Sequence, residues 1–287
     1  PPHFTLDPLL GEPEEDPELG LRCAHWPYGG ELKFPVGVLD VPSRQEQRPL
    51  VLDLAGRQGH LALVGAPQSG KSTFLRTAML SAMLTHTPDE LQFYAIDMGG
   101  GALHGLADAP HVAGVAGRRD DERVRRVLAE VSRLVNARER MFRDLGIQSA
   151  AELRARRAAG DLPEGVRSAD IVLAVDNWAA LHEADEDAVS TLTEIATRGL
   201  GVGVHLWLTA NRWAEIRVNL RDNIPARLEL WLNDPSESEI SRPSARALGQ
   251  SVPGRGLTPP GLVHHIALPR LDDGTTGDPG SDGVSGL

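Results

Sequence analysis

Residues Gly65-Ala66-Pro67-Gln68-Ser69-Gly70-Lys71-Ser72 fit the pattern G-x-x-x-x-G-K-[ST] at every fixed position. The apolar run "HLALV" precedes them and the helix-compatible run "KSTFLRTAML" follows. A Gly-rich turn between a strand and a helix exposes successive backbone N–H groups, which cradle phosphate oxygens. The helix behind it turns its positive end toward the same anion. In that arrangement Lys71 reaches the β- and γ-phosphates, the Ser72 hydroxyl binds Mg²⁺, and Thr73 lies near the α-phosphate or supports the turn. The chain has two lysines, Lys33 and Lys71, against 27 arginines. A sequence so biased toward Arg still places Lys at the motif position, where a compact ammonium fits and a guanidinium fork does not. The expected ligand is a nucleoside triphosphate with Mg²⁺.

A second stretch, "DIVLAVDN", has the form of the companion motif. Asp176 ends an apolar strand and is expected on the Mg²⁺ side of the phosphates; the alternative is a helix N-cap. Many motor ATPases carry Glu at the next position to polarise the attacking water. Here it is Asn177, and an amide orients water but takes no proton from it. Thr209, Ala210 and Asn211 end another strand on the expected ligand side. Asn211 is read either as a γ-phosphate sensor or as a turn residue. "DMGGGALHGL", from Asp97, adds an acid and three glycines at a further strand end and by itself is a flexible loop.

These residues need a scaffold of alternating strands and helices. "KFPVGVLDV" and "PLVLDL" read as early strands near an edge, "LQFYAID" and "VHLWLTA" as strands, and "ARLELWLN" as a further one. A long helix spans about 121–145, with Val124, Val127, Leu128, Val131, Leu134 and Val135 at helical spacing. Its Arg123, Arg126, Arg133, Arg140 and Arg143, interleaved with Glu122, Glu130 and Glu139, are expected to form a solvated face. Another helix covers about 186–198, "WAEIRVNLRDN" reads as a helix, and "GRGLTPPGLVHHIAL" as a hairpin around Pro259-Pro260. The pattern predicts an α/β fold: a mostly parallel sheet flanked by helices, with a small antiparallel element near the termini.

The 287 residues carry 29 basic and 40 acidic side chains, net −11. Six acids lie in residues 1–20 and four in 271–287, with no Lys or Arg in either, so 30 acids meet 29 bases in 21–270. A near-neutral body with acidic ends is not the footprint of a DNA-gripping surface. There is one cysteine, Cys23, so no internal disulfide forms, which fits a reducing compartment. Adjacent His264 and His265 point to opposite faces of a strand, a non-ligand arrangement. No apolar run is long enough to span a membrane, and no signal peptide is expected in these residues. The Pro-Pro start reads as a segment excised from a longer polypeptide, and the segment by itself is expected to be monomeric. The expected organisation is a linker or docking segment at 1–31, a domain at 32–270 and a disordered acidic tail at 271–287.

Several blocks together carry a resemblance: "GAPQSGKSTFLRTAMLSAMLTHTPDELQFYAIDMGGGAL", "PHVAGVAGRRDDERVRRVLAEV", "GVHLWLTANRWAEIR" and "RLELWLNDPSESEI". They resemble the FtsK/SpoIIIE-type ATPase domains of EccC, the motor proteins of type VII (ESX) secretion. "DMGGG" and "TANRWAEIR" look most like the second ATPase domain of such proteins. The resemblance implies a RecA-like P-loop NTPase fold, tandem ATPase domains at the cytoplasmic face of a bacterial membrane complex, and docking of WxG100 (ESAT-6-like) secreted proteins or of linkers that imitate them. It also implies two departures. Asn177 stands at the usual Glu, and Leu200 stands five residues before His205, where active members carry an arginine finger for the neighbouring subunit's ATP. Arg198, two residues away, is a candidate substitute; Arg227 is another, or it pairs with an acid. The reading that follows is an ATP-binding domain with slow or no hydrolysis. The alternatives are a competent motor completed by neighbouring domains and a DNA translocase module.

Overall fold

The structure, a computed structural model, describes residues 4–17, 20–28, 30–55, 59–248 and 252–271. The acidic tail, from residue 272 on, lies outside the described residues. The chain opens with α1 (Asp7–Leu10), β1 (Glu14–Asp16) and β2 (Gly20–Arg22), then β3 (Lys33–Val41), β4 (Glu46–Asp53) and β5 (Leu61–Val64). There follow α2 (Lys71–Thr85), β6 (Leu91–Asp97), β7 (Val112–Gly117), α3 (Asp121–Leu145), α4 (Ala150–Ala158) and β8 (Asp170–Asp176). The remainder is α5 (Trp178–Ala184), α6 (Asp187–Arg198), β9 (Val204–Ala210), α7 (Val218–Arg221), β10 (Ala226–Leu230), α8 (Arg242–Leu248), β11 (Arg255–Thr258) and β12 (Leu262–Ile266).

Ten strands form one sheet in the order β4-β3-β12-β11-β10-β5-β9-β8-β6-β7. From β10 to β7 neighbours run parallel; from β10 back to β4 they run antiparallel. The expected antiparallel element is therefore a four-strand extension of the main sheet, with the β1–β2 pair as a second small sheet. The parallel strands are buried on both faces, which is why they read as continuous apolar runs. On β8, Ile171, Leu173 and Val175 join one core with α3, α5 and α6, while Val172 and Ala174 join the other with α2. His60, just before β5, ties the sheet together: its Nδ1 accepts the Leu206 N–H at 2.8 Å, so its Nε2–H is free to donate to the Ala196 carbonyl at 2.9 Å.

Helix α3 starts and stops by local chemistry. The Asp120 carboxylate accepts the Arg123 N–H, and Gly146 ends the helix in the left-handed region at φ 65°. Helix α2 differs in having no solvent face: every residue from Phe74 to Thr85 is buried. One side meets the sheet. The other is covered by the N-terminal arm, whose Leu6, Leu10 and Cys23 cluster with Leu80, Leu84 and Ala267. The arm is fastened by Leu6 N–H to Arg270 O at 3.0 Å and Cys23 N–H to Leu84 O at 2.8 Å.

One expected element is corrected. "WAEIRVNLRDN" is not a single helix but a tight turn at Trp213–Glu215 followed by α7, with Ile216 extended between them. The physical cause is tertiary. The Trp178 indole N–H takes the Glu215 carbonyl at 3.0 Å, the very oxygen a continuing helix would need, and the Trp213 indole N–H is drawn to buried Glu229 at 2.6 Å.

Trp207 on β9 is fully buried between Phe34 and Phe93, with ring centroids 6.0 and 5.8 Å away. Its indole N–H has no partner among the described residues. Trp207→Ala should lower unfolding free energy by about 3–5 kcal/mol. Trp207→Phe should cost much less, because no hydrogen bond is lost. Denaturant unfolding of the two variants checks this; equal losses would contradict the packing described.

Candidate functional site

The phosphate loop connects β5 to α2 and is pinned on both sides. Gly65 N–H donates to Ala210 O at 3.1 Å and Ala66 N–H to Trp231 O at 2.9 Å, so β9 and the end of β10 hold it. The motif residues are required by space. A Cβ on Gly65 would lie 2.6 Å from Ser69 Oγ, and one on Gly70 (φ 107°) would lie 2.9 Å from Gly254 N. Ser69 is fully buried, and its Oγ has no partner among the described residues. Helix α2 begins at Lys71 without a side-chain cap, so its first N–H groups and the helix dipole face the loop. Thr73 follows within its first turn. Lys71 Nζ donates to the Gly65 and Ala66 carbonyls at 2.7 and 2.8 Å. Burial pushes its pKa down, against the opposing pull of Asp176 and Glu215.

Asp176 ends β8 almost fully buried. Its Oδ2 accepts the Ser72 hydroxyl at 2.6 Å and its Oδ1 the Thr209 hydroxyl at 2.6 Å. Gly99 leaves it room, since a Cβ there would fall 2.7 Å from Oδ2. The helix N-cap is the next residue: Asn177, left-handed at φ 63°, caps α5 by accepting the Ala180 N–H, and donates its own N–H to Thr209 Oγ1 at 2.9 Å. Asn211, just past β9, gives its N–H to Glu215 Oε2 at 2.9 Å. The neighbouring glycine loop closes on Asp97, whose carboxylate collects the N–H groups of Gly99, Gly101 and Leu103. That acid therefore serves the loop's own fold.

This donor set fits a magnesium-bound polyphosphate. The Ser72 hydroxyl and the Asp176 carboxylate are the oxygen donors a hard cation takes. Lys71, the helix end and the loop N–H groups complement the phosphates, and the unpartnered Ser69 hydroxyl points to a loop whose polar groups are not all matched within the protein. Sequence reasoning placed Asp176 but not the role of Thr209, which bridges Asp176 and Asn177, nor Glu215, which stands beside Asn211. A hydroxyl at a strand end and a Glu in a turn have no spacing signature of their own.

The other expected residues lie elsewhere. Leu200 comes before β9, at the opposite end of the sheet from the phosphate loop, and lines a cavity of about 330 Å³ with Leu54, Ala150, Arg154 and His205. His205 meets buried Asp170 at 3.0 Å, as does Arg154. The Arg198 guanidinium is engaged by Glu139 at 2.9 and 2.6 Å, by Asn136 at 2.6 Å, and by Glu194. Arg227 pairs with Glu239 at 2.7 Å and lies 5.6 Å from the Trp213 ring centre.

A sequence model of the FtsK/SpoIIIE family matches residues 32–267. The chain belongs to the FtsK/SpoIIIE family. Among its relatives, an ESX secretion system protein EccC from Thermomonospora curvata is 44% identical over 281 residues, 98% of this chain and 21% of that protein. The ESX-4 secretion system protein EccC4 of Mycobacterium tuberculosis is 43% identical over 286 residues, 94% of this chain and 23% of that one. This FtsK/SpoIIIE chain thus spans about a fifth of the length of these two curated relatives. Among solved structures, Thermomonospora curvata EccC (ATPases 2 and 3) in complex with a signal sequence peptide superposes with a TM-score of 0.92 at 44% identity, covering 98% of this chain and 51% of that one. The cytoplasmic domain of the same type VII secretion ATPase gives 0.93, covering 33% of that chain. The expected resemblance to EccC ATPase domains and the expected P-loop fold are borne out. No helix among the described residues is long and apolar enough to cross a membrane.

The lowered Lys71 pKa carries a sign. A lysine whose pKa falls on folding binds its proton better in the unfolded chain, so the stability linked to it rises as pH climbs through the folded value toward the ordinary 10.5. Without nucleotide, the wild type should gain stability relative to Lys71→Met as pH is raised from neutral toward 10.5. Denaturant midpoints across that range test it; parallel pH profiles would show that Lys71 is not desolvated.

Proposed function

We propose that this chain is an ATP- and Mg²⁺-binding domain of a type VII secretion motor protein, in which the nucleotide is mainly a structural or regulatory ligand and is hydrolysed slowly if at all. The observation that carries the binding half is the direct hydrogen bond, 2.6 Å, between Ser72 of the phosphate loop and Asp176 of the companion strand. It puts two Mg²⁺-type oxygen donors side by side, next to Lys71. Gly65, Ala66, Pro67, Gln68, Ser69, Gly70, Lys71, Ser72 and Thr73 hold the phosphates in this reading, and Asn211 senses the γ-phosphate.

The slow half rests on Asn177 and Leu200. A trans arginine is worth about 10³–10⁵ in rate, roughly 4–7 kcal/mol of barrier. Leu200 supplies none, and Arg198 is held by two glutamates. Binding depends on the loop and escapes this loss. A ligand at about a thousand times its dissociation constant adds about 4 kcal/mol of stability. Hydrolysis therefore suffers far more than affinity.

The relative with a signal sequence peptide supports a docking role at the cytoplasmic face of the membrane complex, toward WxG100-type secreted proteins, linker segments such as 1–31, or neighbouring ATPase domains. The near balance of charge in 21–270 argues against a nucleic-acid partner.

The test is to purify the chain without added nucleotide, denature it and separate what is released. Intact ATP is expected, and none from Lys71→Ala. Mostly ADP, together with steady multiple turnover, would overturn the reading. Asn177→Glu with Leu200→Arg should raise turnover only when copies of the domain or its neighbours are assembled; no gain in the assembly would show that the defect lies elsewhere.

A further inference from the structure

Glu215 occupies a position that the phosphate-loop and companion motifs leave unassigned. It follows β9, the strand between the phosphate-loop strand β5 and the Asp176 strand β8. Its turn is fixed from two sides by buried tryptophans. The Trp178 indole N–H holds the Glu215 carbonyl at 3.0 Å, and Trp213, two residues earlier, is anchored to Glu229 at 2.6 Å. The side chain folds back toward the strand end, where Oε2 accepts the Asn211 N–H at 2.9 Å. Its other oxygen, Oε1, has no hydrogen-bond partner among the described residues. The carboxylate is half-buried. The Ala210 carbonyl, one residue before Asn211, accepts the Gly65 N–H at 3.1 Å, which sets this turn at the phosphate end of the sheet, and the Glu215 charge acts on both Lys71 and Arg212 there.

Three carboxylates gather at this end of the sheet, and Asp97 is taken up by the N–H groups of its own loop. Asp176 spends both oxygens on Ser72 and Thr209. Asn177 caps a helix and carries no charge. We infer that Glu215 supplies the water-facing carboxylate that Asn177 does not, and that the slow hydrolysis of bound ATP runs through it.

The balance of the step is simple. The water oxygen forms a bond to the terminal phosphorus, and the bond from that phosphorus to the bridging oxygen breaks, leaving its electron pair on ADP. The water proton passes to Glu215, which returns it to solvent. A positioned general base contributes about 10²–10⁴ in rate. A carboxylate facing the γ-phosphate also repels it, so the same group should weaken ATP binding relative to ADP.

This inference rests on the ATP-binding reading above, and the experiment separates the two. The 287-residue chain is loaded with radiolabelled ATP and Mg²⁺, and single-turnover conversion to ADP is followed over days, a span longer than a purification; affinities for fluorescent ATP and ADP analogues are measured in parallel. Glu215→Gln keeps an acceptor for the Asn211 N–H and should leave thermal unfolding unchanged. It should slow conversion about 100-fold and shift the ATP-to-ADP affinity ratio severalfold toward ATP. Glu215→Asp keeps the charge and should lie between. If Glu215 only props up the Asn211 turn, Gln will match wild type in both readouts, and the inference falls. No conversion in the wild type, with ATP firmly bound, also overturns it while leaving the binding reading intact. Failure to bind ATP at all overturns both.

Discussion

Everything at the loop end of the parallel strands turns on one buried charge. Asp176 lies where β8 stops, under the loop between β5 and α2, and its two oxygens are claimed by hydroxyls from α2 and β9. A carboxylate in such surroundings is tolerated only if it is hydrogen-bonded or paired. Here hydrogen bonding shapes the neighbourhood. Thr209 must lie on the adjacent strand at that register, Ser72 must face it from the first turn of the helix, and Gly99 must lack a side chain. Thr209 then accepts the Asn177 N–H, which fixes the backbone reversal into α5. The placement of that one group thus dictates residue types on three separate segments.

Much of this was legible in the sequence, for reasons that can be named. The phosphate loop combines a spacing with a steric requirement at Gly65 and Gly70. Helix α3 has a wide apolar stripe and capping residues at both ends, so its limits, Asp121 and Leu145, follow from local chemistry. Strand β8 is apolar on both faces and reads as a buried parallel strand. The elements that escaped lack such signals. Strand β7, "VAGVAG", is built of small residues at the sheet edge and has no alternation to detect. Helix α4 is short and rich in arginine, and only its Ser149 cap marks its start. The 213–221 segment carries a helical pattern that two indole hydrogen bonds override.

The site divides the same way. Lys71, Ser72 and Asp176 are visible because their spacing is imposed by the polyphosphate they would surround. Thr209 and Glu215 act through positions that only strand order brings together, since β9 lies between β5 and β8 although it follows both in the chain. Asn177 was visible as a departure, yet its left-handed backbone and its capping bond appear only in three dimensions. The Arg198 contacts with Glu139 and Asn136 likewise join α6 to α3 across a gap of about sixty residues.

Strand β8 has an acid at each end, Asp170 and Asp176, and seven consecutive buried residues from one to the other. Asp170 sits with Arg154 and His205 beside the Leu200 cavity, and Asp176 sits at the phosphate loop. An extended strand rises about 3.3 Å per residue, so the two acids are held about 20 Å apart. Parallel neighbours on both sides fix the register and leave the strand no way to stretch or slip. The domain therefore contains a ruler. Whatever engages the Leu200 end is kept at a constant distance from the phosphates of the same domain. The two ends can then communicate only by tilting this rod as a whole, or by handing the signal to the next molecule along.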